Sequence, residues 1–270
     1  MESILSKPDI DFKDDFRQAF IVMKYEIMKF MSGKKILIFG IINVAILALI
    51  ALLIFSFDVN FDDGTGTAVS GFQAGMILIL GVSSYLMLFG ATLFSSVALV
   101  SEFEDRTALM LFTKPIRKGS IFMGKAMAAF LLNAVFVIIY YIVASIVMAI
   151  KTGDFSSNVF VSMGYCMCYV FSLTGVALLF SSFMKKGSSA SILTFVFLLM
   201  VPSIVSVILI LALNTEDTSS IWYMFNVASG AITTSIYTAV ENGPRDAFVM
   251  IMWGLVPMIA AYFIFRRREV

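Results

Sequence analysis

Six stretches of the chain contain no Asp, Glu, Lys or Arg: residues 36–57, 74–100, 126–150, 159–183, 190–213 and 247–265. Each is at least 19 residues long, and a helix needs about 20 residues at 1.5 Å apiece to cross the hydrocarbon core of a bilayer. Leu, Ile, Phe and Val each contribute roughly −0.3 to −0.6 kcal/mol on insertion, so none of the six needs a partner to enter lipid. A helix satisfies its own backbone polar groups there. The pattern predicts an all-α integral membrane protein whose transmembrane domain, residues 36–265, has six transmembrane helices.

Between and before these blocks the pattern changes. Over residues 12–31, Phe12, Phe16, Ala19, Phe20, Met23, Ile27, Phe30 and Met31 recur at a 3.6-residue period, with Asp14, Arg17, Gln18 and Lys29 elsewhere. Ile21 and Met28 blur the stripe from the opposite side. Residues 1–35 therefore read as an N-terminal region with an amphipathic interfacial helix; a solvent-facing helix packed on other elements is the alternative. The connection 58–70 is acidic and glycine-bearing, a solvated loop, and 151–158 is a tight turn. Residues 214–246 are too polar to span and too apolar for a free loop. They suit a re-entrant or interface-hugging helix, with Trp222 and Tyr223 at headgroup level.

Composition agrees with a lipid environment. Apolar residues are 60% and charged residues 14% of the 270, and mean hydropathy is +0.97, against about 45–50% and about 25% in a soluble domain. The basic residues set the orientation. Seven Lys/Arg fall in 1–35, five in 101–125, two in 184–189 and three in the tail 266–270, whereas the alternate connections hold only Lys151 and Arg245. By the positive-inside rule both termini are cytoplasmic in a multi-pass protein of the cell membrane. The first apolar block starts too late and runs too long for a cleavable signal, so it is expected to remain as an anchor. A net charge of +1 offers no argument for nucleic acid.

Catalytic chemistry is poorly provided for. The chain has no histidine, which removes the commonest general base and the commonest metal ligand. It has no GxxxxGK[ST] phosphate loop, no HExxH and no paired CxxC. Cys166 and Cys168, two apart on a helix, point about 200° from each other and cannot form a disulfide. The six blocks also lack the ionisable groups with which ion-coupled carriers bind their coupling ion. Energy for any transport would enter from outside the membrane. A self-contained carrier or channel, and a non-transporting membrane scaffold, remain the alternatives.

The cytoplasmic connection 101–125 is the densest in chemistry. Glu102, Glu104 and Asp105 precede a short apolar helix over 107–112, and Pro115 biases Lys114 away from helical geometry. Arg117 and Lys118 follow, and Ser120 is placed to cap the helix leading into the third span. Leu109, Met110, Leu111 and Phe112 suit docking into a partner's groove; a surface helix that merely connects two spans is the plainer reading.

These residues resemble the signature of ATP-binding-cassette (ABC) permeases of the type-two exporter class. Glu102 and Glu104 stand for its acidic stretch, Thr107-Ala108-Leu109-Met110-Leu111-Phe112-Thr113 for its threonine–leucine helix, then Pro115-Ile116, Arg117 and Gly124-Lys125. The run 24–30 before Gly33-Lys34-Lys35 is similar to the family's amphipathic N-terminal helix, and the likeness extends over nearly the whole chain. Arg106 departs from it, standing where the family commonly has glycine, and no large outer domain is present.

The resemblance implies a permease subunit that is not itself an enzyme. Arg106, Thr107, Ala108, Leu109, Met110, Leu111, Phe112, Thr113, Lys114 and Pro115 would form the coupling segment docked on a separate P-loop ATPase, which would hold ATP and Mg. Glu102, Glu104 and Asp105 would sit at the transmission end of the second span. Two ATPases and a second permease copy, or a related subunit, would complete the assembly, with lipid around it. Ser83, Ser84, Ser95, Ser96, Asn133 and Thr194 are candidates for the substrate path. Small residues also let membrane helices approach, and hydroxyls bond to their own helix, so packing is the stronger account of each. No side chain singles out a substrate.

Overall fold

A computed structural model of the protein describes residues 12–56, 71–104, 117–213, 224–236, 238, 240 and 242–267, all in helices or short turns. The helices are α1 (Phe12–Met31), α2 (Lys34–Ser56), α3 (Gly71–Phe94), α4 (Val100–Glu104), α5 (Lys118–Thr152), α6 (Asn158–Phe183), α7 (Gly187–Leu213), α8 (Met224–Thr234) and α9 (Gly243–Arg267). Among the described residues, α2, α3, α5, α6 and α9 are long and apolar enough to cross a membrane. The remaining apolar block forms α7, whose stretch Gly187–Val201 is apolar but shorter.

α6 is the central helix. It packs most closely on α9, where two glycines face each other, and a Cβ on Gly175 would collide with the Gly254 carbonyl oxygen. Such close approach of backbones is what small residues allow between membrane helices. α2 lies at the periphery. It buries Phe39, Asn43, Leu47, Ile50 and Ile54, one stripe at helical spacing, and leaves Leu37, Ile41, Val44 and Leu52 exposed. Comparable exposed Leu, Ile, Val and Phe side chains cover α5, α7 and α9. That much uncovered apolar surface is characteristic of a lipid-facing protein.

α1 has the limits that its period predicts, but its apolar stripe is divided. Ala19, Met23 and Phe30 are buried, with Glu26 on the same face, while Phe16, Phe20 and Met31 lie on an exposed strip beside it. The buried face runs along α5, where Gly124 makes room: a Cβ there would come within 2.6 Å of the Ala19 carbonyl oxygen. Phe30 then joins Phe39, Phe94 and Leu132 in an aromatic-rich cluster, with edge-to-face pairs at 5.7 Å (Phe30–Phe94) and 5.4 Å (Phe39–Phe94). This cluster anchors the turn from α1 into α2.

α5 is 35 residues long and begins at Lys118, eight residues before the apolar block that the sequence marks. Arg117 occupies its N-cap position with no side-chain cap, so Ser120, expected as the cap, instead lies buried in the first turn. At its other end Gly153, at φ 74°, closes the helix in the left-handed conformation, its N–H donating to the Ala149 carbonyl.

The segment expected to hug the interface supplies α8, packed against α6, α9 and α3. The terminal carbonyls of such a short helix need partners. The Ser162 hydroxyl donates to the Ile232 carbonyl at 2.7 Å, and the Asn158 amide donates to that of Ile236 at 3.1 Å. The Gln73 amide reaches the Ile236 carbonyl as well, at 3.4 Å. Trp222 and Tyr223 lie outside the described residues.

Candidate functional site

The second apolar block does not continue as one helix. α3 ends at Phe94, residues 95–99 form turns, and α4 begins at Val100. At the break both Ser95 and Ser96 donate their backbone N–H to the Ala91 carbonyl, at 2.9 and 3.2 Å. The opening N–H groups of α4 are then taken by a side chain from α6. Leu99 and Val100 each donate to the buried Ser181 hydroxyl oxygen at 3.1 Å. A hydroxyl at a helix start is the usual solution for its orphan donors, here supplied from another helix.

α4 carries two of the three acidic residues assigned to transmission, and both are tied down. Glu104 Oε2 accepts the Gly187 N–H at 2.7 Å, placing a carboxylate at the N-terminus of α7, where the helix dipole favours negative charge. Glu102 Oε1 accepts from the Lys125 ammonium at 2.8 Å. Asp105 lies outside the described residues.

Lys125 is the centre of the site. Its residue is 1% exposed, and Nζ donates to Glu26 Oε2 at 3.0 Å, to Glu102 Oε1 and to the Ala98 carbonyl at 2.9 Å. An ammonium has three donors, and all three are used. One cation thus bolts α1, the α3–α4 break and the first turns of α5 together. Lys29, half-exposed, adds a looser pairing to Glu102 Oε1 at 3.8 Å. A second bond between α1 and α5 is the Arg117 Nη1–Asp15 Oδ2 ion pair at 2.6 Å. Burying charge is costly unless it is paired and hydrogen-bonded, and this cluster meets that condition.

The sequence pattern points to neither Lys125 nor Glu26 nor Ser181 as a site residue. In the sequence Lys125 stands out only as half of a glycine–lysine pair. The signal for Glu26 was present: it falls on the same helical face as Ala19, Met23 and Phe30. Nothing in the sequence marks Ser181 apart from the other hydroxyls of its span.

The substrate-path candidates behave as packing residues. Ser83 donates to the Leu80 carbonyl at 2.7 Å, Thr194 to Ala190 at 2.7 Å and Asn133 to Ala129 at 3.2 Å, each within its own helix. Ser96 bonds the Thr92 carbonyl and shares a hydrogen bond of 2.9 Å with Ser191 of α7. Ser95 is fully buried at the break. Asn133 lies so close to α3 that a Cβ on Gly90 would collide with its Oδ1. Ser84 lines a cavity of about 460 Å³ with Gly81, Tyr85 and Thr233. The structure does not gather the six into one polar path. The ten docking residues, Arg106, Thr107, Ala108, Leu109, Met110, Leu111, Phe112, Thr113, Lys114 and Pro115, lie outside the described residues. Among the described residues no group of three or more His, Cys, Asp or Glu could hold a metal ion.

The five membrane-length apolar helices among the described residues, uncovered apolar flanks and a charged bolt define a multi-pass membrane protein. The comparison with protein families then matches residues 20–270 to the ABC-2 family transporter proteins. The chain belongs to that family, a membrane component of transport that normally works with an ATPase partner. No curated protein matches it in sequence.

Proposed function

We propose that the chain is the permease subunit of an ATP-driven exporter, with six spans, both termini in the cytoplasm and the translocation path between two permease subunits. Arg106 to Pro115 dock on a P-loop ATPase that binds ATP and Mg, and two such ATPases serve the assembly. Its exposed strip of Phe16, Phe20 and Met31 lays α1 along the cytoplasmic face of the membrane.

The observation that carries this reading is the anchoring of α4. The docking segment begins directly after α4, and Glu102 and Glu104 join α4 to α1, α5 and α7 through Lys125 and Gly187. A displacement imposed on 105–116 by closing ATPases therefore reaches three helices at once. Buried charge pairs are well suited to this, because they are short, directional and expensive to break.

Purification from the native membrane in mild detergent tests the reading, comparing wild type with Leu109→Asp. A P-loop ATPase identified by mass spectrometry with wild type, and lost with the variant, is the expected result. If no ATPase accompanies wild type even after cross-linking, docking is refuted and a stand-alone carrier or scaffold takes its place.

A further inference from the structure

A groove of about 790 Å³ opens between α1, α5 and α9, with α6 at its floor. It has the size of a small-molecule pocket, about 300–1,000 Å³. Its two ends differ in chemistry. Asp15, Arg117, Ser120 and Tyr262 bring polar atoms to the α1 end, whereas Met127, Phe130, Phe171 and Leu255 make the far end apolar. Along α5 the lining runs from Arg117 past Gly119 to Phe130, so at 1.5 Å per residue the groove is about 16 Å deep below Gly119. One leaflet's hydrocarbon is about 15 Å thick. The groove is therefore about as long as the hydrocarbon of one leaflet is thick.

Its rim is basic. Lys118, between Arg117 and Gly119, extends Nζ to the Arg266 carbonyl at 3.5 Å, which holds the Arg266–Arg267 end of α9 beside it. Against these cations stands the Asp15 carboxylate, paired with Arg117. The first turn of α5, which Arg117 does not cap with its side chain, also starts here, and its dipole favours an anion.

We infer that this groove holds one anionic phospholipid of the cytoplasmic leaflet, an acyl chain along α5 and α9 and the phosphate at Arg117 and Lys118. Only the choice of leaflet rests on the orientation given above; neither ATPase docking nor transport enters the argument. The lipid would complete the wall between α1 and α9, fixing the N-terminal helix against the bundle from the side opposite the Lys125 cluster.

Native mass spectrometry of the purified full chain in detergent, titrated with phosphatidylglycerol or with phosphatidylcholine of the same acyl chains, tests this. Wild type is expected to hold one phosphatidylglycerol at least tenfold more tightly than phosphatidylcholine. Lys118→Gln removes one surface cation and should weaken phosphatidylglycerol about five-fold while leaving phosphatidylcholine unchanged. Met127→Trp fills the apolar end and should abolish the tight site, whereas Ile192→Trp, on α7 outside the groove, should not. Equal retention of the two lipids by wild type, or unchanged phosphatidylglycerol binding by folded Met127→Trp, overturns the proposal. If Met127→Trp does not fold, the wild-type preference and its reduction in Lys118→Gln decide the matter.

Discussion

Replacing Lys125 by methionine keeps much of the side chain's volume and its flexible stem while removing its charge and three donors. The change leaves Glu26, 6% exposed, without the ammonium that neutralises it, and takes from Glu102 the ammonium 2.8 Å away. Glu26 Oε1 already has no hydrogen-bond partner among the described residues, so both oxygens of that carboxylate would then be bare in the packed face of α1. Removing one partner of a buried pair costs about 3–5 kcal/mol. At about 2–4 °C per kcal/mol for a chain of this size, the melting midpoint should fall by about 6–20 °C. Glu26→Gln should cost much less, because Lys125 keeps Glu102 and the Ala98 carbonyl. The assay is thermal unfolding in detergent of wild type, both single variants and Glu26→Gln/Lys125→Met. The double variant removes the stranded charge and should recover part of the loss, giving a coupling of about 1–3 kcal/mol. A Lys125→Met protein melting within about 2 °C of wild type would refute the argument that the cluster is a bolt.

Three further outcomes follow from other contacts. Ser181→Ala strands the buried N–H groups of Leu99 and Val100, and the expected loss is about 1–3 kcal/mol in the same melts. Gly175→Ala presses a methyl group into the Gly254 carbonyl, whereas the same change at Gly164 meets open space; size-exclusion profiles should show a loss of folded protein only for the first. For orientation, a cysteine introduced at Asn60 into a chain lacking Cys166 and Cys168 should react with an impermeant reagent in intact cells, and one at Lys118 should not. The reverse labelling pattern would overturn the cytoplasmic placement of the termini.

What the sequence reveals and what it hides have different physical origins. The apolar blocks and the limits of α1 are legible because they depend on solvent and on local period, both written in successive residues. The break at residues 95–99 is not, because nothing local demands it: Ser95 to Leu99 would continue a helix, and the turn is held by Ser181, about eighty residues downstream. Hydroxyls within spans are ambiguous for the opposite reason. A serine that bonds its own helix, as Ser83 does, and one that lines a path have the same sequence signature, and only coordinates separate them.

The charges are the instructive case. Local pattern and global structure normally agree, and a residue that breaks the pattern needs a compensating partner. Glu26 interrupts the apolar stripe of α1, Lys125 stands at the threshold of the third apolar block, and Glu102 follows the second. Each is an anomaly when read alone. Charge cannot be left unpaired where these positions are buried, so the anomalies had to answer one another, and in the fold they meet within 3.0 Å of a single ammonium. Tracing each misplaced charge to the others is thus a physical route from such a sequence to its inter-helix contacts. Here it leads to the node directly before the segment proposed to meet the ATPase.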